Sequence, residues 1–150
     1  MKYRTILLVM FATLLCANAM AEEVMVLQSK NMMPKYELIT NISLGPFGYT
    51  VKDKTERPYR YRVIVSTFEI YDDLFIEKLK INDEEGIPQG VDWSRMLDLK
   101  LLLVKLNVPA EQQKISKIKW LTPTSLRFIL GGKPIVLKDI RQLKMEAIIN

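Results

Sequence analysis

A chain of 150 residues, 49% hydrophobic and 26% charged, with a formal net charge of +5, has the length and balance of one globular domain able to bury a core. It contains no histidine and a single cysteine, which excludes Ser-His-Asp and Cys-His nucleophilic sites and the zinc sites built from those ligands. What remains open is binding, or chemistry carried by carboxylates alone.

Residues 1–21 follow the three-part plan of a cleaved secretory signal: Lys2 and Arg4 in a basic head, an apolar run from Ile6 to Cys16, and Ala19-Met20-Ala21 as the A-x-A site. The run is too short for a membrane-spanning helix, which needs about 20 residues, so no stable transmembrane anchor is expected. Leu15 stands where lipid processing at Cys16 would want a small residue. The expectation is therefore a periplasmic or secreted product, with residues 22–150 as a single β-rich domain. Beyond the leader the chain keeps 20 basic and 17 acidic residues, a net charge of +3, and no cysteine, so packing rather than disulfides must hold it together. Asn41-Ile42-Ser43 matches a glycosylation sequon, and chance explains that triplet adequately.

In chain order, Val24 to Leu27 and Tyr36 to Leu44 read as strands, rich in branched and apolar residues and separated by Asn31 and Met33-Pro34. Gly45-Pro46-Phe47-Gly48 reads as a turn, followed by a short run Tyr49 to Val51 and a charged loop, 52–58. From Tyr59 to Ile70 the residues alternate, with Tyr59, Tyr61, Val63 and Val65 on one face and Arg60, Arg62, Ile64 and Ser66 on the other. Asp72-Asp73 is a turn candidate, and Leu74 to Ile81 returns as the second arm of a hairpin. Asn82 to Gly90 is a loop; its Asp83-Glu84-Glu85 lacks the spacing of a calcium-binding loop and reads as solvated.

Asp92 to Leu106 is ambiguous. Asp92 is a good N-cap and leucine favours helix, while Leu97, Leu99, Leu101 and Leu103 alternate as a strand would. Val108-Pro109 ends this segment, and Ala110 to Lys114 forms a helical turn with Pro109 at its first position. Residues 115–140 then read as a three-strand meander. A break at Thr122-Pro123-Thr124 sets Trp120 opposite Leu126 and Ile118 opposite Phe128, and a four-residue loop at Gly131-Gly132-Lys133-Pro134 sets Leu130 opposite Ile135 and Phe128 opposite Leu137. All of these share one apolar face, while Lys117, Lys119 and Arg127 point away. Ser116 and Lys119 match S-x-x-K, but in a strand positions three apart face opposite sides, so the match is accidental. Asp139 to Ile149 closes the chain as a weak helix or a last strand.

Seven to nine short strands predict a mainly β fold, an antiparallel β-sandwich or small barrel, with an α+β variant if residues 92–106 are helical. The feature with most functional content is the basic cluster Lys52, Lys54, Arg57, Arg60 and Arg62 beside Tyr49, Tyr59 and Tyr61. An exported protein meets anionic head groups, acidic polymers or acidic protein surfaces rather than nucleic acid. The expected role is a non-catalytic domain, without a cofactor, that binds a protein partner or an anionic envelope component as inhibitor, adaptor or assembly accessory. The alternative is a small-ligand carrier holding a lipid-like molecule in an apolar barrel interior.

Overall fold

The computed structural model describes residues 22–49, 58–81 and 86–150. Among these described residues there are nine strands: β1 (Glu23–Asn31), β2 (Ile39–Gly48), β3 (Tyr59–Phe68), β4 (Tyr71–Ile81), β5 (Pro88–Leu97), β6 (Ile115–Thr122), β7 (Ser125–Leu130), β8 (Lys133–Leu137) and β9 (Lys144–Ile149). One helix, α1 (Lys100–Leu106), follows β5. The strands form a single sheet in the order β2-β3-β4-β5-β1-β9-β8-β7-β6, nearly closed into a barrel. β1 joins its two halves, pairing with β9 through residues 23–28 and with β5 through 29–31.

The alternation of β3 and β4 produces the core directly. Val63 pairs with Ile76 and Val65 with Leu74, all buried on the inner face. The same period governs the meander, where Leu126 pairs with Leu137 and Phe128 with Ile135, each fully buried. Lys119 and Arg127 are exposed on the opposite face, as the alternation predicts.

Two details of the meander differ from the sequence reading. The β7–β8 connection is a two-residue turn, with Leu130 opposite Lys133, because Gly131 and Gly132 have φ of +54° and +80° and supply the left-handed pair that a tight hairpin needs. Shortening the loop by two residues shifts the register by two and leaves every side chain on its expected face. In β6, Trp120 does lie opposite Leu126, but a bulge at Lys117, φ +50°, interrupts the ladder before Ile118 reaches a regular partner.

Gly45-Pro46 is not a turn. The register shift between Leu44 and Phe47 absorbs both residues as an irregularity inside β2, and Phe47 and Gly48 remain paired with Arg60 and Tyr59. Proline is tolerated there because β2 is an edge strand. A Cβ at Gly45 would lie 2.9 Å from the Trp120 ring, so this position needs glycine. Nor do Asp72 and Asp73 form the β3–β4 turn. It falls at Glu69-Ile70, with Glu69 at φ +56°, and the ladder runs out to Phe68 opposite Tyr71. Asp72 is instead a buried staple, accepting the Thr67 hydroxyl at 2.6 Å and the Ile115 N–H at 2.8 Å. Tyr36–Leu38 form a 3₁₀ turn ahead of β2.

Residues 92–106 satisfy both of their signals in succession. They continue β5 to Leu97 and then turn into α1, whose first N–H is received by Asp98 Oδ1 at 3.0 Å and which ends at Asn107 in the left-handed region. Leu99 and Leu102 are buried and Leu103 and Leu106 pack on the core, so α1 closes one end of the barrel. Towards the other end Ile140, in the β8–β9 connection, is fully buried and its N–H bonds the Thr124 carbonyl. Between β1 and β2 the chain crosses the outer face of the sheet as a strap. Met32 N–H bonds Ser94 O, Pro34 is buried, and the Tyr36 hydroxyl donates to Glu77.

Candidate functional site

Of the five basic residues singled out in the sequence, Lys52, Lys54 and Arg57 lie outside the described residues, as do the leader and the acidic triplet 83–85. Arg60 and Arg62 do share the outer face of β3, opposite Leu79 and Glu77 of β4. Both are engaged. Arg60 donates to the carbonyls of Gly45 and Gly86, pinning the irregular end of β2 to the segment leading into β5. Arg62 holds the fully buried carboxylate of Glu77, with Nε donating at 2.8 Å and Nη2 completing the fork. The Tyr36 hydroxyl donates to the second Glu77 oxygen at 3.3 Å. Burial, with the Glu77 charge adding, raises the pKa of that hydroxyl and keeps it a donor. Arg60 and Arg62 are thus engaged within the fold, and the strap brings Tyr36 over the Arg62–Glu77 pair.

A second constellation lies inside the barrel towards the opposite end from α1, and the sequence reading missed it. Lys78 stands opposite Tyr61 on one side and Trp93 on the other, and Arg95 stands opposite Ile76, which belongs to the core. Strand alternation therefore turns Lys78, Trp93 and Arg95 to the inner side. The rings of Tyr59 and Tyr61 meet edge-on at 5.3 Å, and Tyr61 and Trp93 at 5.8 Å. The Arg95 guanidinium lies 3.9 Å from the centre of the Trp93 ring, in stacking range for a cation on an aromatic face.

The β8–β9 connection completes the group. Asp139 accepts from the Arg141 backbone at 3.1 Å and from its Nε and Nη2 at 2.9 Å each, a two-residue fork that fixes the connection. That bonding holds the Asp139 carboxyl below the usual carboxylate range and raises the Arg141 guanidinium. Arg95 Nη1 donates to the Arg141 carbonyl at 2.8 Å, whereas Arg95 Nε is buried with no acceptor. Burial, with the neighbouring Tyr59 hydroxyl adding, pushes the Tyr61 hydroxyl up to about 12, against the pull of Arg141 and Arg95.

The electrostatic balance follows from these pairings. Asp139 is spent on Arg141, and among the described residues neither Lys78 nor Arg95 has a carboxylate within ion-pair distance. An aromatic wall with unspent positive charge and a free buried N–H is suited to an anion that also offers a flat or apolar surface. A W-x-R pair on a strand was the available signal, since residues two apart share a face. It was obscured because residues 92–106 read equally as helix, where Trp93 and Arg95 would diverge.

Compared with protein-family models, curated proteins and solved structures, the chain matches none.

Proposed function

We propose that the protein is an exported, non-catalytic β-barrel that binds an anionic group of a protein or envelope component at the Trp93–Arg95 end. Arg95 carries the reading: it is stacked on Trp93 and fixed by the Arg141 carbonyl, yet it lacks a carboxylate partner among the described residues and leaves its Nε without an acceptor. Burying a cationic donor without an acceptor costs stability, and an incoming oxyanion would recover that cost. The side chains that fill the barrel interior, from Leu27 to Ile149, support binding at this end over a lipid-like molecule held within. The +3 charge of residues 22–150 adds attraction for an anionic partner and a dependence on salt.

The test uses two soluble probes, inorganic phosphate and a short-chain phosphatidylglycerol below its micelle concentration, followed by the Trp93 indole N–H and Arg95 Nε–H resonances. Saturable shifts of both signals that weaken with salt, and a loss of about tenfold in affinity in Arg95→Gln, the equivalent of one charge-assisted hydrogen bond, are expected. Unshifted Trp93 and Arg95 signals with both probes would reject the site. Response to phosphate alone assigns a simple anion, and a stronger response to the lipid assigns a head group.

A further inference from the structure

A cleft of about 350 Å³ opens at the α1 end of the barrel, between the β3–β4 turn and the start of α1. Its walls are chiefly apolar, with Phe68 and Tyr71 on one side and Leu97, Leu99 and Leu103 on the other. Phe68 and Tyr71 face one another across the last rung of the β3–β4 ladder and are 54% and 41% exposed, with no covering element among the described residues. Its polar lining is Asp73, Asp98, Lys100 and Gln113.

The charges in this cleft are unbalanced in the opposite sense to the Arg95 end. Two carboxylates face one lysine, and among the described residues neither Asp73 nor Asp98 has a cation within ion-pair distance. Burial, with the adjacent Asp72 charge adding, pushes the Asp73 carboxyl above the ordinary aspartate range, and Lys30 offsets this only in part. Asp98 uses one oxygen on the Lys100 N–H, a bond that asparagine would also make. A volume of this size accepts one or two side chains, at the lower end of the range, about 300 to 1,000 Å³, seen for ligand pockets.

We propose that this cleft is a second recognition site, which takes a peptide segment of a partner protein in which an apolar side chain is followed by a lysine or arginine. The apolar side chain enters between Tyr71 and Leu103, and the cation lies against Asp73 and Asp98. Charge complementarity selects this occupant: an acidic or wholly apolar segment would leave both carboxylates desolvated and unpaired. The inference is independent of the anion reading at the far end, and it would make the barrel a two-ended connector.

The experiment titrates the ¹⁵N-labelled protein with acetyl-Leu-Lys-Leu-Lys-amide and, separately, with acetyl-Leu-Glu-Leu-Glu-amide. Shifts from the basic peptide at the Phe68, Tyr71, Asp98 and Leu103 amides are expected, with affinity falling about fivefold in Asp73→Asn and in Asp98→Asn, the effect of removing one partly screened charge pair. Lys100→Gln should tighten binding. Each variant's own spectrum reports that it is folded, and Asp98→Asn keeps an acceptor for the Lys100 N–H. Equal binding of both peptides, shifts placed elsewhere, or unchanged affinity in both asparagine variants would overturn the proposal.

Discussion

Glu77 is a buried carboxylate whose isolation would be costly. Its carboxylate is fully buried on the outer face of β4, and among the described residues Arg62 and the Tyr36 hydroxyl meet it. Removing one partner of a buried ion pair leaves an uncompensated charge, and such losses run to about 3–5 kcal/mol. Arg62→Ser is therefore expected to lose stability on that scale in urea denaturation. Tyr36→Phe should lose about 1 kcal/mol, the usual net value of one hydrogen bond. An Arg62→Ser midpoint equal to the parent's would mean that the pair is solvated rather than structural. Arg60 donates only to carbonyls, so its replacement is expected to cost less.

Tyr61 makes a second prediction at this scale. Its pKa is raised from 10.0 to about 12 in the fold, so the unfolded chain gives up this proton at lower pH than the native one. The contribution to stability is complete below pH 10 and is lost as pH rises through about 12. Denaturation midpoints measured across this window should fall, at no more than about 1.4 kcal/mol per pH unit from this group, and Tyr61→Phe should flatten the fall. An unchanged slope in the variant would place the alkaline sensitivity elsewhere. Asp139 runs the opposite way: its lowered pKa gives stability present above the ordinary aspartate range and lost as pH falls through its folded value.

Among the elements, the β7–β8 hairpin depends on backbone conformation more than on side chains. Gly132 has φ +80°, and a Cβ there would meet open space, so the difficulty for another residue is conformational rather than steric contact with neighbours. Gly132→Val is expected to destabilise by about 1–3 kcal/mol because a branched residue is strained in the left-handed region. Gly132→Asn, which tolerates that region, should recover most of the loss. Equal stability of all three proteins would show that the turn relaxes to another geometry. At this scale the sequence was informative about faces and less so about lengths: Gly-Gly-Lys-Pro announced a turn, but Lys133 and Pro134 belong to β8 because Gly131-Gly132 alone reverses the chain.

At the scale of the molecule, the barrel closes without a ladder at its last seam. β2 and β6 are the two edges of the sheet, and side chains bridge them: the Trp120 indole N–H donates to Ser43 Oγ at 3.2 Å, and the ring lies against Gly45. Both edges carry features that discourage further pairing, Pro46 and two register shifts in β2, and the Lys117 bulge beside Lys119 in β6. Hydrogen exchange should therefore be fastest at this seam, with amides in β3, β4 and β7 protected nearly to global stability. Trp120→Ala should speed exchange in β2 and β6 first. Its stability loss should fall below the roughly 3–5 kcal/mol of a fully buried aromatic, because Trp120 is only partly buried. Uniform acceleration across all nine strands would mean that the seam is not a separate opening unit.

The sequence by itself determined the β class, the inner faces of β3, β7 and β8, and a composition with no histidine, because period-two patterning and composition are local properties of the chain. It also exposed the conflict at residues 92–106, which β5 and α1 resolve by dividing the segment at Asp98. The closure order of the sheet, the capture of Arg62 by Glu77 under the strap, and the meeting of Arg95 with Trp93 and the Arg141 carbonyl were decided only in the tertiary structure. The physical reason is that a charge pattern specifies neither its partner nor its solvation. Arg60 and Arg62 look free in the chain and are engaged in the fold, while Arg95, marked in the chain only by its W-x-R spacing, is left in the fold with a buried donor and no acceptor.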